Sequence, residues 1–478
     1  MNFHIQLTRH LTPADQAAGP YVYLPFRLPQ PARRLHVAYR YSAAISSDQV
    51  HGGNVIDIGL FDPRGHDFPG GAGFRGWSGS ARQEFTIGLE EATPGYLPGP
   101  LPPGEYQIIL GLYRIWEAGA HVDVHVQAEL DPTLDATAPA PPSLAPRRLP
   151  PLPAPTWLRG DLQSHTVHSD ARGTLEQLVA RARDLGLDFL AITDHNTVSH
   201  HPFLPTLADE RLILIPGQEV TTYRGHMNVW GTSRWCDFRC RTDQEMAAVI
   251  RLAHAHGGVC SINHPKTGGP PWEYSTDLPV QAMEVWQGPW PHHNAESLAL
   301  WDRLLAAGRR LPAVGGSDYH CPADKETNFL RLGQPTTWVQ VDEPDVAGIL
   351  SAIVAGRSCI SATPDGPRLD LRGEAGGQVA VMGQSLPGQG GEAPVHFTVE
   401  VWGGQGRTLR LVADGRPALE QPIRQERAIV HASLPVARYM RAEVVGDMDP
   451  ALLPVDAPPV DLRGWRWALS NPIYITGA

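Results

Sequence analysis

The chain has 478 residues, 42% of them hydrophobic and 19% charged, which is too long for one ordinary domain and apolar enough to bury a sizeable core. That composition excludes a disordered tail, and a formal net charge of −11 with no basic stripe excludes an extended nucleic-acid surface. No run of about 18 apolar residues offers a membrane span. The opening MNFHIQLTRHLTPADQ lacks the basic and apolar regions of a secretory leader, and the five scattered cysteines are unlike a disulfide framework, so a cytoplasmic address is expected.

In chain order, the runs VYLPFRL, RLHVAYRYS, NVIDIGLFD, EYQIILGLYRI and HVDVHVQAEL alternate with Gly/Pro turns and predict a β-sandwich over residues 1–130. Residues 131–155 turn Pro- and Ala-rich, the composition of a stiff extended linker. From 156 to 365 strands alternate with helices, the pattern that builds a parallel sheet or barrel. LRGDLQSH reads as a strand, Thr174 with Gln177 as a capping box opening the next helix, and DFLAITD as the following strand. Thr242 with Glu245 caps a helix reaching about His256, before the strand GVCSINH. AMEVW, a helix around SLALWDRLLAAG, LPAVGGSD, TTWVQV and a helix from about Asp345 to Gly356 complete the array. Residues 366–478 return to β texture in VHFTVEVWG, TLRLVADG and YMRAEVVG, predicting a small C-terminal β-rich domain.

Histidines and acids gather at the ends of the apolar stretches in 160–320: GDLQSHTVHSD, LAITDHNT, LILIPGQEV, GHMNVWG, SINHP and GGSDYH. Imidazoles and carboxylates suit zinc, manganese and iron, and catalytic sites draw such ligands from several strand ends. Alternate strand residues share a face, so Asp161, Gln163 and His165 point one way, and Asp318 and His320 can converge if their stretch is extended. His195, after an apolar strand and an Asp, and His264, before Pro265, are the hardest to explain as ordinary core histidines.

These six ordered motifs resemble the polymerase and histidinol phosphatase (PHP) superfamily, and more closely its CehA/McbA branch of carbaryl-hydrolase-like metallohydrolases, over roughly residues 157 to 365. The resemblance implies a distorted (β/α)7 barrel flanked by the two β-domains, with two to three divalent ions (zinc, manganese or iron) at the strand ends. One ion would use His165, Glu219 and Asp318, with Gln163 standing where the family has a histidine as a weaker ligand. A second would share Glu219 as a bridge and add His226 and His264, and a third would use Asp170, His195 and His320. It implies a hydrolase acting on a small anionic or ester substrate: a phosphate mono- or diester first, a carbamate or carboxylic ester as the alternative. Glu219, His195 and His320 carry the catalytic centre in that reading.

Other residues keep two readings. His168, His200 and His201 are candidates for the general acid, with surface or outer roles as the alternative. Arg224 and Lys266, with His200 and His201, are candidates to hold substrate, against ordinary solvated or surface roles. A non-catalytic binding protein with a decayed metal site is the rival from another class, pointed to by Gln163. Cys236 and Cys240 read as ordinary thiols. Sheet edges can pair, which leaves a homo-oligomer open.

Overall fold

Strict alternation in the Ala120–Leu130 strand, where Val122, Val124 and Val126 are buried and His121 and Gln127 are exposed, gives a sheet with one wet and one dry face. The computed structural model describes residues 1–45, 52–135, 155–232, 234–321, 330–388, 394–448, 450 and 461–477, so most of the Pro-rich 131–155 run lies outside the described residues. Ala120–Leu130 pairs antiparallel with Asn2–Leu11 and Ala32–Tyr41, and Glu84–Gly88 completes a four-stranded sheet. A second four-stranded sheet orders Tyr21–Leu28, Gly104–Arg114, Val55–Phe61 and Phe74–Gly79. Leu35, Val37 and Val124 of the first sheet and Phe26, Ile108 and Leu110 of the second share one buried core. The Asn2–Leu11 strand was not anticipated, although Phe3, Ile5 and Leu7 alternate with polar residues; at the sheet edge these three are only partly covered.

Beyond residue 155 the chain is mixed α/β and strand-rich. Parallel ladders join Phe189–Ile192 to both Thr156–Asp161 and Ile213–Thr222, and others join Val259–Ile262 to Ala282–Gln287 and the latter to Ala313–Gly316. Helices Leu175–Asp184, Asp243–Ala255, Asn294–Ala306 and Val346–Val354 alternate with them, and the capping boxes at Thr174/Gln177 and Thr242/Glu245 form.

The ladders depart from a closed parallel barrel in two ways. Gly225–Trp230 turns back on Ile213–Thr222 through a two-residue turn, Tyr223 and Arg224, and runs antiparallel to both neighbours. Among the described residues, the edge strand Ala313–Gly316 reaches the Thr156–Asp161 side through the single bridge Ser164↔Tyr319 and not through a ladder. The Asp161 carboxylate reinforces that seam by accepting the amides of Ser317 (3.0 Å) and Gly333 (2.8 Å).

The flanking β-domains are not beads on a string. Trp465–Ser470 pairs with Ser358–Ser361, so C-terminal strands extend the sheet that begins at Thr156, while Arg368–Ala375, Gln378–Val381, Val395–Trp402 and Arg427–Leu434 form a separate four-stranded sheet. On the other side Phe61, Phe74, Trp77 and Ile109 of the N-terminal sheets share a core with Val220, Met227 and Phe238. Phe74 stacks on Trp235 with ring centroids 3.8 Å apart, and buried Arg239 pairs with Asp237 (2.6 Å) while donating to Tyr23 Oη (2.6 Å). No helix among the described residues is long and apolar enough to cross a membrane.

Two outcomes follow from this packing. A Cβ at Gly160 would lie 2.3 Å from both the ring and the backbone carbonyl of Phe189, so Gly160→Ala is expected to cost at least ~2 kcal/mol in urea denaturation. Asp57 accepts from Tyr223 Oη at 2.6 Å across the domain junction, and burial raises its carboxyl from 3.8 to about 7. Between those values the native protein holds a proton that the unfolded chain has released, so this group withdraws stability as pH rises from about 4 to about 7. Asp57→Asn should flatten that slope in denaturation curves measured across the range.

Candidate metal centre

The candidate ligands meet past the ends of four parallel strands and on the Ile213–Trp230 hairpin. The segment after Thr156–Asp161 brings Gln163 and His165, the end of Phe189–Ile192 leads into His195, and the Ile213–Thr222 hairpin carries Glu219 beside His226. His264 follows Val259–Ile262, and Asp318 and His320 follow Ala313–Gly316. Asn196, His264 and Asp318 hold positive φ angles of 56°, 26° and 55°, a concentration of backbone strain at one place.

Glu219 is the hub and is fully buried. Its Oε1 lies 3.1 Å from His226 Nδ1 and 3.2 Å from His264 Nε2, and accepts from Asn263 Nδ2 at 2.9 Å. Its Oε2 lies 3.1 Å from His195 Nδ1 and 3.3 Å from His165 Nε2. His165 Nε2 is also 3.0 Å from Asp318 Oδ1, and its ring stacks between His195 (4.3 Å) and His320 (4.1 Å). At the rim, Asp170 Oδ1 is 3.6 Å from His195 Nε2 and 3.4 Å from His320 Nε2.

The electrostatics are those of a dense, mutually balanced set. Burial opposes charge on Glu219, yet His195 and His226 outweigh it and hold the carboxyl well below the usual range. Burial likewise opposes charge on His195 and His320, but Asp170 and Glu219 raise the first to about 9, and Asp170 and Asp318 raise the second to about 10. His165 goes the other way, lowered by burial and then by its two imidazole neighbours. Beneath the site, burial and the nearby Asp318 push Glu284 well above the carboxylate range, and its Oε2 accepts the His264 amide at 2.8 Å.

Three groups bring their ligand atoms within 4.8 Å of one another: His165, Asp170, His195 and His320; His195, Glu219 and His226; and His165, Glu219 and Asp318. His165 Nδ1 and Gln163 Oε1 are buried without a hydrogen-bond partner, and His165 Nε2 and Glu219 Oε2 meet other members of the cluster only as close ion-pair contacts outside hydrogen-bond geometry. Buried polar atoms left unpaired in a nest of imidazoles and carboxylates fit a divalent cation of the zinc, manganese or iron type. Gln163 donates from Nε2 to Glu219 Oε1 (3.0 Å) and Asp318 Oδ1 (3.2 Å), so its amide lies between two carboxylates that would face an ion.

The remaining candidates lie elsewhere. His200 and His201 do not line an opening: they are buried behind the ligand loops, with His200 Nδ1 3.1 Å from Asp194 Oδ2 and His201 Nε2 2.8 Å from Gly217 O. Burial lowers both, His201 to about 4, which suits neutral rings built into the backbone network. His168 is also buried and bonded through Nδ1 to Ser199 Oγ at 2.8 Å. Lys266 is lowered to about 7 by burial and donates to Gln287 O (2.9 Å), Asn294 Oδ1 (3.0 Å) and His292 O. Arg224 spends its guanidinium on the carbonyls of Arg241 (2.7 Å) and Glu273 (2.8 Å) at the hairpin tip. In these positions Lys266 and Arg224 tie segments together, because buried or shared donors go first to carbonyls the fold leaves open. Cys236 and Cys240 are free and buried, with the Cys236 thiol pushed up to about 12 by burial.

Sequence reasoning missed the residues that orient the ligands. Asp194 accepts from Thr166 N (2.7 Å), Thr166 Oγ1 (2.8 Å) and Ser169 Oγ (2.7 Å), knitting the Thr166–Asp170 turn to the His195 loop. Asn196 exchanges two 2.8 Å bonds with the Thr221 backbone, and Thr221 Oγ1 lies 2.6 Å from His195 Nδ1. The available signal was adjacency, since Asp194 and Asn196 flank His195 and Asn263 precedes His264.

Residues 161–275 match the family model of the PHP domain, a span that holds every ligand candidate except Asp318 and His320. No curated protein matches the chain. Among solved structures, a two-domain protein of Bacteroides vulgatus containing a predicted PHP-like metal-dependent phosphoesterase is 17% identical with a TM-score of 0.37, covering 70% of this chain and all of that one. A candidate metal-dependent phosphoesterase of Bifidobacterium adolescentis is 19% identical, TM-score 0.27, over 36% of this chain and 90% of that one. An amidohydrolase of Chromobacterium violaceum with bound sulfate is 15% identical, TM-score 0.25, over 36% of this chain and 93% of that one.

The geometry separates two substitutions. Losing an outer partner of a metal ligand typically costs ~10–100-fold in affinity, and removing a ligand should exceed that. Glu219→Gln is expected to weaken two ions at once and Asp170→Asn one, read as ions per chain by elemental analysis after dialysis against a chelator series. Equal losses from the two variants would reject the assignment. Gln163→His should add affinity for one further ion in the same measurement.

Proposed function

We propose that this chain is a metal-dependent hydrolase of the PHP type, and that it cleaves a phosphate mono- or diester. The observation that carries the reading is Glu219: a fully buried carboxylate within 3.1–3.3 Å of four imidazoles, which is how a protein holds two cations close together. The PHP match over residues 161–275 supports it. In this reading the curled sheet works as a distorted (β/α)7 barrel, with His165, Glu219 and Asp318 holding one ion, Glu219, His226 and His264 a second, and Asp170, His195 and His320 a third.

Bound divalent ions supply an activated water and neutralise charge on the oxygens of the ester. The protein's part is positional. Thr221 Oγ1 beside His195 Nδ1, and the Asp318 carbonyl 2.8 Å from His320 Nδ1, fix both rings so that their Nε2 atoms face Asp170. Asn263 and Gln163 donate to Glu219 Oε1 while His165 and His195 lie against its Oε2, which orients the carboxylate so that it can bridge. His168, His200 and His201 are not assigned the general acid, because each ring is buried with one nitrogen bonded inside the fold.

A second reading, a carbamate or carboxylic ester hydrolase of the CehA/McbA type, is supported by the order of the motifs in this chain. The same experiment tests both: metal content with hydrolysis of p-nitrophenyl phosphate, bis(p-nitrophenyl) phosphate and 1-naphthyl carbamate on one sample. Two or more ions and chelator-sensitive cleavage of a phosphate ester are expected. Turnover of the carbamate alone would select the second reading, and a chain that stays metal-free and inactive after zinc, manganese or iron is supplied would reject both.

A further inference from the structure

The loops that present Asp170 and His195 are gripped from the N-terminal sheets. Arg82, in the turn between Phe74–Gly79 and Glu84–Gly88, donates from Nη1 to Ser169 O at 2.9 Å and from Nη2 to Val167 O. These are carbonyls of the segment joining His165 to Asp170, and a planar guanidinium fork fixes two acceptors in one geometry. Gly95, in the turn that follows Glu84–Gly88, donates its amide to Ser199 Oγ (3.0 Å) and accepts from Thr197 Oγ1 (3.0 Å). Its φ is +97°, and a Cβ there would lie 2.9 Å from His168 O, so only glycine allows the approach. His168 closes the circuit through Ser199 Oγ at 2.8 Å.

We propose that Arg82 and Gly95 are positioning residues for the metal centre: they lock residues 166–170 and 196–199 against each other and so set Asp170 opposite His195 and His320. The N-terminal sandwich is then a working part of the site and not an appended module. This rests on the metal-binding reading above, through the cluster at Asp170.

The test uses the full chain and the variants Arg82→Ala, Arg82→Lys and Gly95→Ala. In metal-free protein, Arg82→Ala should raise amide hydrogen exchange ~10-fold or more in residues 166–171 while leaving 259–262 unchanged. In zinc competition against a chelator, one ion should weaken ~10–100-fold and the others stay. That loss should disappear when Arg82→Ala is introduced into Asp170→Asn, because a residue acting through Asp170 has nothing left to position. Guanidinium ion at a non-denaturing concentration should restore the zinc affinity of Arg82→Ala, and Arg82→Lys should restore it in part. Gly95→Ala should reproduce the same local exchange pattern. Unchanged exchange at 166–171, exchange raised evenly through the chain, or a zinc loss that persists undiminished in the Asp170→Asn background would overturn the proposal. A wild-type chain that takes up no zinc, manganese or iron would instead overturn the hydrolase reading, and the exchange data would still decide whether the clamp exists.

Discussion

The constraint on which this molecule turns is a carboxylate that has lost all contact with water. Glu219 is fully buried, and a charge taken out of solvent costs several kcal/mol unless opposite charge and hydrogen bonds meet it. Here they come from five side chains on four segments: His165, His195, His226, and the adjacent Asn263 and His264 all reach its two oxygens. Two of these contacts rest on constrained backbone: His264 itself holds a positive φ, and Asn196, next to His195, holds another and bonds to the Thr221 backbone. A group so demanding persists where the surroundings over-determine it, which is the expected signature of a site built to hold cations.

That demand explains the architecture around it. The hairpin from Ile213 to Trp230 places Glu219 and His226 on adjoining strands, paired with Asn228 and Thr221 respectively, and its antiparallel return brings the two side chains to 3.1 Å. Its tip is pinned by Tyr223 to Asp57 of the N-terminal sheets, and the apolar cluster of Phe61, Phe74 and Trp77 packs beneath it. On the far side Asn471 donates to the carbonyls of Ala313 and Ser358, tying the strand that leads to Asp318 into the C-terminal strands. Three regions of the chain thus converge on one set of loops.

Which histidines and acids would gather was largely legible, because strand-end chemistry is local. Motifs such as TDHN and SINHP place a ligand type directly after an apolar strand, and the capping boxes at Thr174 and Thr242 depend on residues three apart. The same locality misled at His200 and His201, which follow a ligand motif closely but fold back beneath it onto Ile192 and Gly217 carbonyls. It misled again at Lys266, where a basic residue beside a ligand is taken up by three acceptors of the 287–294 loop. The Asn2–Leu11 edge strand was passed over although Phe3, Ile5 and Leu7 alternate with polar residues at the strand period.

The sequence by itself determined the residue types of the centre, their order, and the alternation of strands and helices from 156 to 365, because periodicity and capping act over a few residues. Tertiary structure alone decided which histidines share Glu219, that Gln163 sits between Glu219 and Asp318, that among the described residues the sheet edges meet through a single bridge, and that the N-terminal sheets pack against the sheet of the site while C-terminal strands extend it. Those facts depend on contacts between residues tens to hundreds of positions apart, and no local rule of propensity or spacing encodes which distant side chain will supply the partner that a buried polar atom requires.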